Sequence, residues 1–529
     1  MHSTLIVLVT IVLFILAYAW YGRKLERLWH IDPKRATPAF TKYDSVDYIP
    51  AQNWLVLFGH HFSSIAGAGP IIGPVIACLL WGWLPALLWV LLGTIFIGGV
   101  LDFGSLITSV REHGSSVADI AMHVVSRRAK LLFAFFVWLA LILVVAVFAY
   151  LCADTFVKEP KIIAPSLGLI PVAMIVGFLM YRVRANSILT TIFGLVCLVG
   201  LMIAGNVWSV QLSQTVWIVI LLGYCFFASV LPVNILLQPR DYLSSFLLFF
   251  GLGVGYLGLL VSPKIMTMPA ISHWSSMQGN LWPMLFVTVA CGAVSGFHAL
   301  IASGTTSKQI ASERHVKRIG FGGMVLEGVV AVLAIVATAI LFASGDNLQE
   351  AMQTMGPIGI YGKGYGVITD RLLSGQGSFI AIIILNAFIL TTLDTAVRIA
   401  RYLTEELFRF KNRYLSTMVI VGVSAFLALS GQWQRLWPIF GASNQLVAAL
   451  ALFVLSCWLL AKGKTVHVTI WPACFMLVTT MAALVWQAVH YVRQQQHLLL
   501  VIDVVLLLLA VFIVFEVARV LRNRRIQHA

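Results

Sequence analysis

The sequence predicts an all-α polytopic membrane fold of about fifteen transmembrane helices, and two observations carry that prediction. The first is composition: of 529 residues, 60% are hydrophobic and only 10% charged, with a mean hydropathy of +0.95. A soluble domain needs roughly a quarter of its residues charged to stay in water, so lipid is the solvent for most of this chain. The second is the form of the apolar runs. They are about 20 residues long and do not alternate, which is the length of a spanning helix rather than of a strand. Hydrocarbon offers no partner to a free backbone group, so a bundle of helices follows.

The first run, near 4–21, has no basic residue before it and six after it, and residues 1–30 read as an uncleaved anchor with its N-terminus outside rather than as a signal peptide. Spans near 53–81, 84–110, 131–152, 162–181 and 186–206 follow, then 215–237, 242–262, 282–302, 321–343 and 377–396. Four more, near 415–430, 437–461, 468–490 and 498–518, complete the set. With N-out and C-in, 28 of the 35 Lys and Arg residues fall in inner loops and seven in outer loops, the bias that sets orientation in membranes. This placement accounts for the net charge of +15 without nucleic acid, which would call for a basic soluble domain. The one sizeable outer stretch, 344–376, holds Gly356, Gly359, Gly362, Gly364 and Gly366 and reads as a flexible lid or connector. The seven cysteines are odd in number and form no C-x-x-C pair, so they read as small buried apolar residues.

Two spans are interrupted. Ala66-Gly67-Ala68-Gly69-Pro70, with Gly73-Pro74 beyond it, breaks the span at 53–81, and Leu231-Pro232-Val233-Asn234 breaks the one at 215–237. Proline removes a donor and clashes with the preceding turn, and broken backbone at membrane depth is tolerated where it lines a cavity or is buried in protein. The two breaks open runs of five spans with opposite direction. This predicts two inverted five-helix repeats, 50–207 and 213–396, with a solute site at the midplane where the discontinuous helices meet; four additional helices occupy 414–529.

Pro70 stands where a new half-helix would begin, so the backbone of Gly67, Ala68, Gly69, Ile71, Ile72 and Gly73 is the expected substrate-binding segment, with Asn234 from the second break. Free N–H groups at a helix start suit an anion such as a carboxylate. Ionisable groups within spans are costly, about 2.5 to 3.5 kcal/mol at the centre, and the expected proton-coupling groups are His60, His61, Asp102 and His298. His60 and His61, about 100° apart on a helix, cannot both face one site. Glu327 and Asp394 read as nearer the inner surface, and Asp503 as an outer end that reaches water. Carbonyls near Ala66 facing the hydroxyls of Ser303, Thr305 and Thr306 are the alternative, a sodium site. Arg240 and Asp241 are a candidate inner gate. No H-e-x-x-h or paired-cysteine spacing fixes a metal centre, and no cofactor is expected.

Several stretches resemble the carbon starvation protein A family of bacterial transporters: Phe58-Gly59-His60-His61-Phe62 with the break at 66–70, Asp102-Phe103 with Ser109-Val110-Arg111, and Gln238-Pro239-Arg240-Asp241-Tyr242. Ser295-Gly296-Phe297-His298, Ser303-Gly304-Thr305-Thr306-Ser307-Lys308-Gln309 and Phe440-Gly441-Ala442-Ser443-Asn444-Gln445-Leu446 continue it in order. The resemblance implies a LeuT/APC-like core of 5+5 inverted repeats in the bacterial cytoplasmic membrane and uptake of a scavenged carbon or nitrogen source, with pyruvate and short peptides as the associated substrates. The expected function is therefore proton- or sodium-coupled symport of a small carboxylate, with short-peptide uptake as the alternative and a membrane sensor or structural subunit as the reading from another class. An enzyme is not expected, because no clustered nucleophile or metal set is evident.

Overall fold

The computed structural model describes residues 2–528 except 234, 277, 344–346 and 431–432, and leaves aside the side chains of 181, 433–434, 517 and 520–528. Twelve helical segments are long and apolar enough to cross a bilayer. Helix α1 spans Ser3–Trp29; the next segment, Trp54–Trp81, is divided into α2 (Trp54–Ile65) and α3 (Gly69–Trp81). Then come α4 (Trp83–Arg111), the short α5 (Val117–Val124), α6 (Arg127–Lys158), α7 (Pro160–Met180) and α8 (Ser187–Val207). Helices α9 (Gln214–Val230), α10 (Leu237–Val261), α11 (Leu281–Thr288), α12 (Gly296–Gly304) and α13 (Glu313–Ala339) follow. The chain ends with α14 (Leu348–Thr354), α15 (Gly356–Leu373), α16 (Gly377–Phe408), α17 (Arg413–Leu429), α18 (Trp433–Ala461), α19 (His467–Arg493) and α20 (His497–His528).

Local chemistry starts these helices where the sequence turns. Asn53 Oδ1 accepts from the N–H groups of Leu55 and Val56 at 2.9 and 3.0 Å and caps α2. Ser116 and Ser126 do the same for α5 and α6, each satisfying a donor that the first turn leaves free. Burial then sorts the helices into a centre and a rim. The apolar windows of Trp54–Trp81 and Gly377–Phe408 are 94% buried, while those of Ser187–Val207 and His497–Glu516 are 28% buried. The discontinuous span is thus at the heart of the bundle, wrapped by protein rather than lipid.

Two expectations are corrected here. Where a flexible lid was expected, residues 348–373 form two helices, and Gly364 serves close packing: a Cβ there would lie 2.1 Å from the Ala337 carbonyl oxygen. The interruption at 231–234 is not inside a span either. Helix α9 stops at Val230 and α10 starts at Leu237, so Pro232 ends a helix in the ordinary way. A second interrupted helical segment is 281–304, where α11 stops at Thr288 and α12 resumes at Gly296.

Candidate functional site

The two breaks meet each other. A Cβ on Gly69 would stand 2.4 Å from Cys291 Cβ, and one on Gly73 would stand 2.5 Å from the Thr288 carbonyl oxygen. Small residues at these positions let α3 cross the unwound segment 289–295 at backbone distance. Pro70 sits in the first turn of α3, where its missing N–H costs nothing. The N–H groups of Ile71 and Ile72, expected to be free for an anion, instead bond the Ala68 carbonyl at 3.2 and 2.9 Å. Those of Ala68 and Gly69 carry no hydrogen bond among the described residues.

The carbonyls released at the end of α2 are met by α16. Thr391 Oγ1 donates to the Ser63 carbonyl at 2.6 Å and Thr392 Oγ1 to that of Ser64 at 3.0 Å. The hydroxyls expected there are engaged otherwise: Ser303 and Thr305 donate to carbonyls of their own helix, Ala299 and Ile301, and Thr306 Oγ1 lies 2.8 Å from His61 Nδ1. At the second break, Trp89 Nε1 and Thr94 Oγ1 donate to the carbonyls of Val289 and Gly292, both at 3.2 Å. Asn444 Oδ1 accepts from Phe297 N–H at 2.8 Å, and its Nδ2 donates to Ser295 Oγ at 3.0 Å. Unwound backbone is thereby held by α4 and α18, the condition for it to exist at this depth. Asn234 lies outside the described residues.

Two buried polar clusters flank these breaks. In the first, Arg240 Nη2 donates to Asp241 Oδ1 at 2.9 Å, and Nη1 bonds both Asp394 Oδ2 and, at 2.5 Å, Tyr224 Oη. Tyr224 Oη donates to Asp394 Oδ2 at 2.7 Å, and His60 Nδ1 is 2.7 Å from Asp241 Oδ2. Helices α2, α9, α10 and α16 are tied together at this one point. In the second, His298 stands between two carboxylates, its Nδ1 3.1 Å from Asp102 Oδ2 and its Nε2 3.0 Å from Glu327 Oε2, with all three side chains fully buried. The Glu327 contact is close enough for an ion pair but out of line for a hydrogen bond, and Asp102 Oδ1 and Glu327 Oε1 are buried without a hydrogen-bond partner. His61 has its Nε2 likewise buried and unpartnered, within electrostatic range of both His60 and His298.

Of the expected titratable residues, His60 therefore joins Asp241 and Arg240, Asp102 joins His298, and His61 lies between the two groups. Glu327 and Asp394, expected nearer the inner surface, are fully buried partners of these clusters, and Asp503, expected to reach water, is buried near Tyr491. Tyr224, Thr391 and Thr392 were not anticipated, and Asn444 was named only within the motif 440–446. The one signal for them is polarity inside an apolar run, which packing alone turns into a position. No group of three or more His, Cys, Asp or Glu among the described residues is arranged to hold a metal ion. Two cavities lie among these helices. One of about 600 Å³ is lined by Ser275, Ser276, Gln278, Asn347, Gln353 and Trp437, and one of about 260 Å³ by Lys42, Tyr48, Asp119, Lys308, Tyr402 and Glu406.

Comparison with known proteins agrees with this architecture. The family model described as Carbon starvation protein CstA matches residues 2–356 and 343–483. The Pyruvate/proton symporter BtsT of Escherichia coli is 30% identical over 90% of this chain and 81% of its own length. The Peptide transporter CstA of Escherichia coli is 31% identical over 90% and 80%, and that of Bacillus subtilis 30% identical over 92% and 90%. Among solved structures, a manganese transporter of Eremococcus coleocola shares the fold at a TM-score of 0.53, with 13% identity over 91% of this chain and 99% of that one. With the twelve spanning-length helices, these relatives make the chain a multi-pass protein of the bacterial inner membrane. The family match across residues 2–483 and the relatives of about 30% identity lead to one conclusion: the chain belongs to the carbon starvation protein CstA family.

Proposed function

We propose that this protein is a proton-coupled symporter that imports a small organic carboxylate such as pyruvate. The observation that carries the reading is His298 clamped between Asp102 and Glu327, fully buried and with carboxylate oxygens left over. With His298 doubly protonated, the group still bears one net negative charge, and an uncompensated charge away from water is costly. One more proton neutralises it. The site is therefore suited to alternate between two protonation states as its access to water changes.

In this reading the N–H groups of Ala68 and Gly69, at the positive end of α3, hold the solute carboxylate, with the unwound segment 289–295 opposite. Arg240, Asp241 and Asp394 form the inner gate, because they join four helices and must separate for an inward path to open. The repeats are best drawn from the observed breaks. Segment 54–81 pairs with 281–304, and α4 with α13, which share a π-helical turn at Thr94–Gly98 and Lys317–Phe321. Helix α6 then pairs with α16, each of 32 residues. The repeats become 54–261 and 281–461, with α7 and α8 inserted in the first and α1, α19 and α20 outside both. Counting α9, α17 and the split span 281–304 with the twelve longer segments gives fifteen crossings, N-out and C-in.

Short-peptide uptake is the second reading, favoured by the 600 Å³ cavity, which is roomy for a three-carbon acid and offers Ser275, Ser276, Gln278 and Asn347 beside the apolar Ile76, Leu79 and Trp437. Uptake of labelled pyruvate into sealed proteoliposomes under an imposed proton or sodium gradient, with unlabelled di- and tripeptides as competitors, tests both. Accumulation that follows the proton gradient and is lost in His298→Ala supports the first reading. Accumulation of labelled peptide with none of pyruvate replaces it by the second, and accumulation of neither removes the assignment.

A further inference from the structure

Helix α1 is tied to the bundle near its two ends. Ser3 N–H and Oγ donate to the Lys264 carbonyl at 3.0 and 2.8 Å, and Thr4 Oγ1 donates to that of Leu259 at 3.0 Å. At the other end Lys317 Nζ bonds Glu26 at 2.8 Å, and a Cβ on Gly22 would stand 3.1 Å from the Lys317 side chain. Between the ties Phe14 packs on Gly328 of α13, and beside that contact a groove of about 640 Å³ is walled by Tyr18 of α1, Trp54 and Phe58 of α2, Phe249 of α10 and Val329 of α13. Among the described residues its one charged wall residue is Arg318. While Lys317 is used by Glu26, no carboxylate among the described residues stands within ion-pair distance of Arg318. The Arg318 guanidinium lies 5.3 Å from the ring centroid of the exposed Trp54.

The dimensions of the groove suit one leaflet. From Arg318, at the basic end of the bundle, to Val329 is a run of about 16 Å along α13 at 1.5 Å per residue, half of the roughly 30 Å of hydrocarbon. An unneutralised guanidinium beside an interfacial tryptophan, with an apolar slot below it, matches an anionic headgroup above an acyl chain. We propose that this groove holds one anionic phospholipid, its phosphate on Arg318 and a chain against Phe58 and Phe249. Those two rings stack with Phe62, at centroid distances of 5.7 and 6.1 Å, and Phe58 and Phe62 lie on the same helix as His60 and His61. The lipid would therefore press on the half-helix that carries both histidines. The inference does not depend on which solute is transported.

The test is native mass spectrometry of the full chain in detergent, offered equal amounts of phosphatidylglycerol and phosphatidylcholine. The parent and Arg318→Lys should each retain one phosphatidylglycerol about fivefold in preference to phosphatidylcholine, the contribution of roughly one basic residue at an anionic surface. Arg318→Gln should lose the preference, and Val325→Trp, which fills the slot and leaves Arg318 in place, should lose both lipids. An Arg318→Gln protein that keeps the preference, or a folded Val325→Trp protein that keeps its lipid, overturns the proposal. Should Val325→Trp fail to fold, the Lys and Gln variants decide alone.

Discussion

Arg240 and His298 are both buried cations set among carboxylates, yet their surroundings are finished to different degrees. Every guanidinium nitrogen of Arg240 has a carboxylate or phenol oxygen to donate to, and Asp241 and Asp394 are in turn bonded by His60, Tyr224 and Cys225. Around His298, Asp102 Oδ1, Glu327 Oε1 and the nearby His61 Nε2 have nothing. Buried groups without partners are rare because each costs about 1 to 3 kcal/mol. A saturated cluster behaves as a lock that holds helices together, while an unsaturated one is open to a further ligand, and a proton is the smallest.

The difference is best broken at the lock. Arg240→Ala strands two carboxylates in the protein interior and should destabilise the fold by about 3 to 5 kcal/mol, read as a lowered thermal midpoint in detergent. An unchanged midpoint would mean the cluster is hydrated and holds nothing. At the other cluster the expectation is reversed. Glu327→Gln removes a charge that was already in excess, so the protein should fold as well as the parent yet lose gradient-driven accumulation about a hundredfold, roughly 2.7 kcal/mol of coupling; solute exchange without a gradient should persist. A clear drop in stability with coupling intact would make Glu327 structural.

Two smaller effects sharpen the picture of the breaks that separate the clusters. Gly69→Ala forces a methyl against Cys291 and should cost about 1 to 3 kcal/mol as overpacking; Cys291→Gly in the same chain should recover most of it if the contact is the cause. Thr391→Val removes the hydroxyl that bonds the Ser63 carbonyl and should cost about 1 kcal/mol, measurable as a small midpoint shift without loss of coupling.

Much of this was written in the sequence and some was not. The spans were legible because hydropathy acts within one segment, and the first break because Gly67, Gly69, Pro70 and Pro74 announce it locally. The second break was misplaced at Pro232. Cys291-Gly292-Ala293-Val294-Ser295 carries no proline, and its unwinding is held from outside by Trp89, Thr94 and Asn444. No local pattern reveals a segment whose hydrogen bonds go to distant helices. His298 and Asp102 were singled out as polar groups inside spans. Their pairing, and the place of Glu327 as the third member, required α4, α12 and α13 to be brought together. The same holds for Asp394, which joins Arg240 across 154 positions of chain.

The central claim is that the His298 cluster carries the coupling proton. Proteoliposomes loaded with a pH-sensitive dye and given an inward pyruvate gradient, with no imposed pH gradient, test it most directly. The parent should acidify the lumen in step with pyruvate entry, and Glu327→Gln should admit pyruvate without acidification. Acidification by Glu327→Gln at the parent's proton-to-solute ratio would contradict the account and move the proton to another group.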